Sequence, residues 1–342
     1  MASNNPISHF KSDPGFIYRC VNPGLFLASH GHEVSFRHIS QAPEPGAVDL
    51  VVFHRPRASW QLRLLLVRLK RAGVACVADF DDLVFDPGFA EYSPGVVNGL
   101  KSLLLTRRKF RLHRDAMVWF SSITVATSEL AKQVRALHPA AQVAVLHNSV
   151  HFGWKGIAVP EAVQRGEGRV LAYLPGTRSH DRDFALIAGQ LERYLRDYAD
   201  TSLRVTGPLA LNMDVPEGQL SHEDRVSFEH YPSRFENLWV NLAPLASTPF
   251  NACKSALKVL EAGYMGVPTL CSPNPDMARF ASAGAVIVDD GDWYGALLRL
   301  REASHYQALT ANLRDKVLAL ANVSAHGEHL LEIMAAARHR QS

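Results

Sequence analysis

The chain has 342 residues, of which 47% are apolar and 20% charged, a composition typical of globular proteins that excludes a disordered or fibrous one. A chain longer than the usual single-domain core predicts two domains. The four cysteines show no CxxC spacing, which argues against a zinc site and for reduced thiols in a cytoplasmic protein. The polar first residues and the lack of a long apolar run predict neither a signal peptide nor a membrane-spanning helix.

The net charge of +3 is unevenly distributed, because Lys101–Arg114 and Arg55–Arg71 are both rich in Lys and Arg and contain no acid. Such basic stretches suit phospholipid headgroups, a lipid-linked phosphate or nucleic acid. The plainer alternative is a solvated helix face. No aromatic stacking series accompanies the charge, so we expect no nucleic-acid partner and favour a membrane surface at Lys101–Arg114.

Apolar runs alternate along the chain with helical patterns, which is typical of parallel βαβ units in a doubly wound sheet. The first part of the sequence predicts strands at 48–54, 74–80, 122–127 and 142–146, and helices at 59–72, around 101–114 and at 128–137, the last capped by Ser128. The later part predicts strands at 169–173, 202–205, 238–242, 269–271 and 285–288, and helices at 183–198, around 232–237, from about 254 and from 293 onward.

Residues 151–168 contain Gly, Pro and mixed charge without periodicity, so we predict an interdomain linker there. The predicted fold is α/β, with Rossmann-like domains at 1–155 and 165–325 facing across a cleft, and a C-terminal helix or tail at 326–342. In open α/β sheets, ligands bind beyond the carboxyl ends of the strands. Four loops in such positions are expected to line the cleft: Asp79–Asp82, His147–Asn148, Gly176–Asp181 and the loop at Gly207.

Lys254 and Glu261 are seven positions apart, about two helical turns, so a single helix would place them on one face. Lys254 would lie in the first turn, where free N–H groups and the helix dipole favour an anion. A cation for phosphate and a carboxylate for ribose hydroxyls suit a nucleoside diphosphate. The alternative is an amphipathic helix with two solvated charges.

Four stretches together resemble a known family: VADFDDLVFD (77–86), YLPGTRSHDRDF (173–184), LAPLASTPFNACKSALKVLEAGYMGVPTLCSP (242–273) and the helix start at Trp293-Tyr294. They resemble GT-B fold glycosyltransferases, close to family 4 of the retaining enzymes and most similar to bacterial enzymes of surface-polysaccharide and O-antigen assembly. The resemblance implies a nucleotide-sugar donor held by the second domain, a glycan or lipid-linked acceptor held by the first, and no metal ion or other cofactor.

The resemblance also implies roles for individual residues. Gly176, Thr177 and Arg178 match the loop that meets the donor diphosphate, and Lys254 and Ser255 match its second phosphate contact. Glu261 matches the carboxylate that binds the ribose. The full set of expected donor-binding residues is Gly176, Thr177, Arg178, His180, Asn251, Lys254, Ser255, Lys258 and Glu261. The expected catalytic residues are Asp79, Asp82, Arg178 and Lys254.

Several of these residues keep an alternative explanation. Asp79 or Asp82 would face the acceptor, act as a general base, or pair with Arg55 and Arg57. A metal-binding DxD pair is disfavoured, because that motif belongs to another transferase fold. His180 would bond a phosphate or a sugar hydroxyl, and Lys258 would contact phosphate or be solvated.

The sequence departs from the family pattern in two places. The pattern has two glutamates eight positions apart, and Cys253 stands where the first is expected, which leaves sugar recognition at that position in doubt. The N-terminal glycine-rich loop is assigned to Val21–Gly31. Overall, we predict a cytoplasmic glycosyltransferase, peripheral on the inner membrane face. The alternatives are a non-catalytic two-domain nucleotide- or sugar-binding protein and a GT-B-fold epimerase or phosphorylase.

Overall fold

The computed structural model describes residues 1–3, 10–158, 168–176, 178–210 and 213–339. They contain two six-stranded sheets, one in the first half of the chain (residues up to 158) and one in the second half (from 168). The first sheet consists of Ala2–Ser3 (β1), Arg37–His38 (β2), Leu50–His54 (β3), Ala75–Phe80 (β4), Ser122–Val125 (β5) and Gln142–Val145 (β6). The second consists of Arg169–Tyr173 (β7), Thr201–Thr206 (β8), Leu220–Glu223 (β9), Val240–Ala243 (β10), Thr269–Cys271 (β11) and Ala285–Ile287 (β12).

Both sheets are parallel, with the spatial orders β2-β1-β3-β4-β5-β6 and β12-β11-β10-β7-β8-β9. Parallel strands need helical crossovers, which cover both faces of the sheet, so central strands such as β10 are buried along their length. The predicted α/β class with two parallel sheets is confirmed. In a parallel sheet all carboxyl ends lie at one edge, and the loops at that edge build the site described below.

Helices connect the strands. In the first half they are Pro14–Phe16 (α1), Asn22–Ser29 (α2), Trp60–Arg71 (α3), Pro94–Val97 (α4), Leu103–Met117 (α5) and Ser128–Leu137 (α6). From the second half onward they are Asp181–Asp197 (α7), Pro249–Ala252 (α8), Leu257–Tyr264 (α9), Pro275–Ala278 (α10), Trp293–Leu300 (α11), Ala303–Thr310 (α12), Leu313–Leu320 (α13) and Ser324–His339 (α14).

Short helical turns complete the structure. The 3₁₀ turns are Phe10–Ser12, Ile39–Gln41, Pro45–Ala47, Pro87–Tyr92, Phe152–Trp154, Arg178–His180 and Phe228–Phe235, and Ile17–Val21 is a π turn. Among the described residues, no helix combines the length and the apolar character needed to cross a bilayer.

Helix α3 shows why the longer elements were predictable from sequence. Ser59 caps it by accepting a hydrogen bond from the Leu62 amide, and Leu62, Leu66 and Leu69 are buried at helical spacing. Gly73, with φ of +71°, follows its end. The helix matches the predicted range to within one residue at each end.

The local predictions were wrong in two places. Strands β1, β2 and β9 were missed, because the first two have two residues each and the third, LSHE, is polar. Helix α6 is capped by Thr127, whose Oγ1 accepts from the Leu130 amide at 3.2 Å, and not by Ser128. A β-branched residue two positions beyond strand β5 thus supplies the cap.

The predicted helix carrying both Lys254 and Glu261 is also wrong, because it is two helices. Helix α8 ends before Lys254, α9 begins after it, and Lys254 lies in the connecting segment. Side chains around α10 hold the break: Asp276 accepts from the Ala256 amide at 2.8 Å, and Asn274 donates to the Lys254 carbonyl at 3.3 Å. Peptide groups that a continuous helix would use are therefore bonded to side chains.

The last helix, α14, returns to the first half of the chain. Leu330 and Val323 are buried in an apolar cluster with Phe26 and Val52, and a Cβ at Gly327 would lie 2.2 Å from the Phe26 ring. The segment before α14 is hydrogen-bonded to the segment after β6, because the Val150 amide donates to the Ala321 carbonyl at 2.9 Å. The predicted tail therefore packs on the first half. The boundaries predicted at 155 and 165 stay predictions, and residues 159–167 lie outside the described part.

A fully buried ion pair joins the ends of three strands in the first half. Arg19 donates to both oxygens of Asp79, from Nε at 3.0 Å and from Nη2 at 2.6 Å. Its Nη1 also donates to the Leu146 carbonyl and, at 3.2 Å, to Asn148 Oδ1. Thr124 donates a further bond to Asp79 at 2.6 Å. The guanidinium thus ties the π turn before α2 to β4, β5 and the chain beyond β6.

Replacing Arg19 with Met will leave the Asp79 carboxylate buried and unpaired. We expect the free energy of unfolding to fall by about 3–5 kcal/mol, measured by urea denaturation. Arg193→Met is the matched control, because the Arg193 side chain is 72% exposed and lies 3.7 Å from Asp197; it should change the same quantity by less than about 0.5 kcal/mol. Equal losses in the two variants would contradict a structural role for the buried pair.

Candidate functional site

A cavity of about 860 Å³ lies where the carboxyl ends of the two sheets face each other. From the first half it is lined by Ser12, Asp13, Pro14, Gly15, Tyr18, Arg55, Asp81, Asp82 and Asn148. From the second half it is lined by Leu174, Pro175, Gly176, His180, Thr206, Arg225, Val226, Ser227, Phe228, Tyr231, Leu245, Lys254, Ser255, Leu257, Lys258, Glu261 and Met277. Three of the four predicted loops contribute lining residues, and Thr206 directly precedes the fourth.

Glu261, on helix α9, is a buried carboxylate held by two phenols. Tyr18 donates to its Oε1 at 2.6 Å and Tyr231 to its Oε2 at 3.1 Å. Burial raises the pKa of Glu261 to about 7, although both phenols and Lys258 favour the charged form. A ligand hydroxyl arriving at this carboxylate finds an acceptor already oriented by the protein.

Two lysines lie on the same wall as Glu261. Lys258 is one turn before it and donates from Nζ to the Leu174 carbonyl at 2.8 Å. Burial lowers the pKa of Lys258 to about 8, against the opposing effect of nearby carboxylates. Lys254 Nζ lies 5.4 Å from the centre of the Phe250 ring. The two ammonium groups and the start of α9 make this wall electropositive.

The loop after β7 only partly matches its prediction. Gly176 lines the cavity with φ of +72°, a conformation that favours glycine. Thr177 lies outside the described residues. The Arg178 side chain is 58% exposed, with Nε 3.8 Å from Asp181, and does not line the cavity, so its donor-binding and catalytic role stays a prediction. The pairing turns the guanidinium toward the start of α7.

His180 lines the cavity and is supported by Asp183. Its Nδ1 lies 2.8 Å from Asp183 Oδ2, and burial lowers the pKa of His180 despite that carboxylate. Asp183 Oδ1 also accepts from the Ala246 amide at 2.8 Å and from Asn251 Nδ2 at 3.3 Å. Asn251, predicted to bind the donor, is buried behind the wall and does not line the cavity. It positions the carboxylate that orients His180.

The glycine loop of the first half is at Gly15 and not at Val21–Gly31. The predicted segment is helical, covering the end of the π turn and α2. The Gly15 amide donates to Asp13 Oδ1 at 2.7 Å, and a Cβ on Gly15 would lie 2.6 Å from Asp81 Oδ2. Only glycine fits this close approach. The SDPG turn was the available signal in the sequence.

The three aspartates after β4 have different surroundings. Asp79 is fully buried, is paired with Arg19 and does not line the cavity; this arrangement fits a structural role, and its catalytic role stays a prediction. Asp81 lines the cavity; burial alone would raise its pKa, but Arg55 and His54 hold that pKa well below its usual range. Asp82 also lines the cavity and accepts from the Leu83 amide at 3.1 Å. Within the described ranges, no group of three or more His, Cys, Asp or Glu side chains is arranged to hold a metal ion.

Cys253 does not take part in the cavity wall. It is buried in the apolar cluster of the first half, together with Phe250 and Ala90, and burial raises the pKa of its thiol to about 12. Its carbonyl accepts from Thr127 Oγ1 at 3.0 Å. The residue at the expected acid position therefore contributes to packing between the halves.

Sequence analysis missed several lining residues. Tyr18 is 243 positions from the carboxylate it contacts. Arg225 and Phe228 follow the unpredicted strand β9, and Phe228 stacks on Trp154 with ring centres 5.6 Å apart. The aromatic pair in FEHY, before a predicted strand, was the available signal. With these residues the cavity combines cations, a buried acceptor and a flat aromatic face, which suits a ligand with an anionic group, hydroxyls and a planar ring.

Comparison with solved structures identifies the fold. An α-glucosyltransferase in complex with UDP and a 13-mer DNA aligns with a TM-score of 0.68 and 13% identity, over 94% of this chain and 96% of that one. Anabaena HepE in complex with UDP-glucose aligns with a TM-score of 0.64 and 10% identity, over 98% of each chain. Sucrose-phosphate synthase from Thermosynechococcus elongatus aligns with a TM-score of 0.59 and 14% identity, over 84% of this chain and 74% of that one. No family model and no curated protein matches the sequence.

The two parallel sheets thus have the GT-B fold of these glycosyltransferases, as predicted. The more specific assignment to family 4 remains a prediction.

The raised pKa of Glu261 predicts a pH-dependent stability. The pKa of this carboxyl group is ordinarily 4.5 and is about 7 in the folded protein. Its contribution to stability is complete at a pH below 4.5 and is lost as the pH rises through about 7. Between about pH 5 and about pH 8, the free energy of unfolding should fall by about 2 kcal/mol more than in Glu261→Gln.

Urea denaturation at a series of pH values will measure this difference. Glu217→Gln, at an exposed turn, is the control and should keep the wild-type slope. The series stops near pH 8 because the pKa of Lys258 is lowered to about 8. Above that pH, the titration of Lys258 makes the folded protein more stable as pH rises, which opposes the effect of Glu261. Parallel pH profiles for wild type and Glu261→Gln would show that the carboxyl group is ionised at neutral pH as usual.

Proposed function

We propose that this protein is a glycosyltransferase that moves a sugar from a nucleotide-sugar donor to an acceptor hydroxyl. The observation that carries the proposal is the wall formed by Lys254, Lys258 and Glu261, which lies in the cavity between two GT-B sheets. HepE, which shares the fold, was solved with UDP-glucose. The resemblance in sequence and the likeness in fold point to the same activity.

In the proposed complex, the second half holds the donor. The diphosphate lies against Lys254, Lys258 and Ser255 at the start of α9, with Gly176 and His180 opposite. The ribose hydroxyls donate to Glu261. The ring of Phe228 offers a face to the base. Charge-assisted bonds from the two lysines contribute most of the binding energy at the phosphates.

The chemistry requires stabilisation of the leaving group. As the acceptor oxygen bonds to the anomeric carbon, the bond from that carbon to the phosphate oxygen breaks and the nucleoside diphosphate departs with the electron pair. The proton of the acceptor hydroxyl passes to the departing phosphate oxygen. Lys254, Lys258 and Arg225 would stabilise that charge, which is why we propose that no metal ion or other cofactor is needed. Turnover that persists in EDTA supports this, and turnover that Mg²⁺ alone restores contradicts it.

The stereochemistry and the acceptor are proposed on the resemblance. We infer retention of configuration, as in family 4, with the acceptor on the side of Asp13, Asp81 and Asp82. The acceptor class is a growing glycan or a lipid-linked glycan of bacterial surface-polysaccharide assembly, made on the cytoplasmic side. NMR of the product formed from a nucleotide sugar of known anomeric configuration tests the first point.

Lys254→Ala should weaken binding of UDP roughly ten- to hundredfold, because it removes a charge-assisted bond to phosphate. Isothermal titration calorimetry with UDP measures the dissociation constant. Lys155→Ala is the matched control, because Lys155 Nζ also lies over a phenylalanine ring, at 4.0 Å from Phe152, but outside the cavity wall.

A donor panel completes this test. Hydrolysis or transfer of at least one nucleotide sugar should be detected, and Lys254→Ala should slow it. If no nucleotide sugar binds or turns over and Lys254→Ala changes nothing, the proposal fails. Binding of a nucleotide sugar without turnover in the presence of acceptors would instead favour a non-catalytic binding protein, and interconversion of free nucleotide sugars would favour an epimerase.

Arg225→Ala should weaken UDP binding more than Arg178→Ala, although only Arg178 was predicted from sequence. Arg225 lines the cavity beside the glycines of the donor loops, with its Cγ 3.4 Å from where a Cβ of Gly207 would lie. Arg178 is exposed and faces away. The ratio of the two dissociation constants, measured by calorimetry, should be roughly tenfold. A larger effect at Arg178 would show that the loop rearranges around the donor.

A further inference from the structure

Helices α3 and α5 expose large apolar side chains on their outer surfaces. On α3 these are Trp60, Leu64 and Val67, spaced four and three positions apart, and the Trp60 side chain is 70% exposed. The core of the first half is already supplied by the opposite row of the helix, which includes Leu62 and Leu66. The outer row is therefore not needed to fold α3.

Helix α5, which lies beside α3, also exposes large apolar side chains. Leu104 and Leu105 are 75% and 67% exposed, and Leu112, two turns further on, is also exposed. The helices are neighbours: the Ala58 amide donates to the Leu112 carbonyl at 2.8 Å, and at the other end the side chain of a lysine on α3 bonds a carbonyl just beyond α5. We call the surface formed by Trp60, Leu64, Val67, Leu104, Leu105 and Leu112 the α3–α5 face. Several large apolar side chains exposed on two neighbouring helices mark an interaction site.

The charges around this face identify its partner. Residues 101–114 and 55–71 contain Lys and Arg but no acid, and Arg108 lies within the apolar row of α5. A second copy of the chain would bring like charges together. A nucleic acid would satisfy the cations but leave six apolar side chains in contact with phosphate and water. An anionic bilayer surface satisfies both, because its headgroups pair with the cations and its acyl boundary accepts the apolar side chains.

We propose that the α3–α5 face docks this protein onto an anionic phospholipid surface, with the two helices lying in the plane of the interface. Helix α3 follows the carboxyl end of β3, from which Arg55 lines the cavity, and the segment between them bonds α5 through Ala58 and Leu112. Docking through α3 would hold Arg55 and the first-half side of the cavity near the headgroups. That consequence for a lipid-linked acceptor rests on the proposed function, whereas the docking itself does not.

Co-sedimentation with vesicles tests the proposal in the absence of any nucleotide sugar, so its failure is separate from failure of the proposed activity. The full chain should pellet with vesicles of phosphatidylcholine and phosphatidylglycerol, pellet little with phosphatidylcholine alone, and be released by salt. Leu104→Gln/Leu105→Gln should lower the partition coefficient roughly tenfold or more, and Trp60→Gln should lower it as well.

Leu186→Gln is the matched control, because Leu186 is 59% exposed on α7 in the second half; it should leave partitioning unchanged. Charge reversal at Arg107, Arg108 and Arg111 should abolish binding to the anionic vesicles. The proposal is overturned if the chain fails to bind them, or if the leucine and tryptophan variants bind as wild type does. It is equally overturned if sedimentation velocity shows a dimer that the leucine variant dissociates, or if duplex DNA binds and the leucine variant weakens that binding.

Discussion

The buried Arg19 guanidinium positions much of the site. Burying a charge is costly unless it is paired and hydrogen-bonded, and Arg19 meets that requirement by bonding Asp79, the Leu146 carbonyl and Asn148. These partners come from the ends of separate strands. The preceding residue, Tyr18, is thereby directed across the cleft to Glu261. A structural ion pair in one half thus fixes a hydroxyl that contacts the buried carboxylate of the other.

Polar contacts between the halves extend from the same point. Asn148, which bonds Arg19, also donates to Ser255 Oγ at 2.9 Å. Its neighbour His147 lies 2.9 Å from Asp276, the residue that separates α8 from α9. The break that brings Lys254 to the cavity is therefore connected to the first half through two side chains. The cavity depends on the register of both halves, and neither half would line it completely alone.

The sequence allowed the strands and longer helices to be predicted because apolar periodicity is a local property, as in α3. The split between α8 and α9 was not predictable in this way, since it depends on Asp276, twenty positions beyond the amide it accepts from. Asp79 lies in a motif and Cys253 stands where the motif has an acid, but tertiary packing buries both. Arg178 matched a motif as well, yet the arginine of the second half that lines the cavity is Arg225, from a segment after a polar strand. Motif spacing located the site and left its individual contacts to long-range packing.

The return of α14 has a mechanical consequence. The chain crosses between the halves twice, once after β6 and once before α14, and the two crossings are bonded to each other through Val150 and Ala321. Two bonded crossings at one place restrain the relative movement of the two sheets more than a single linker would. Any change in the width of the cleft would therefore be mainly a rotation about this junction.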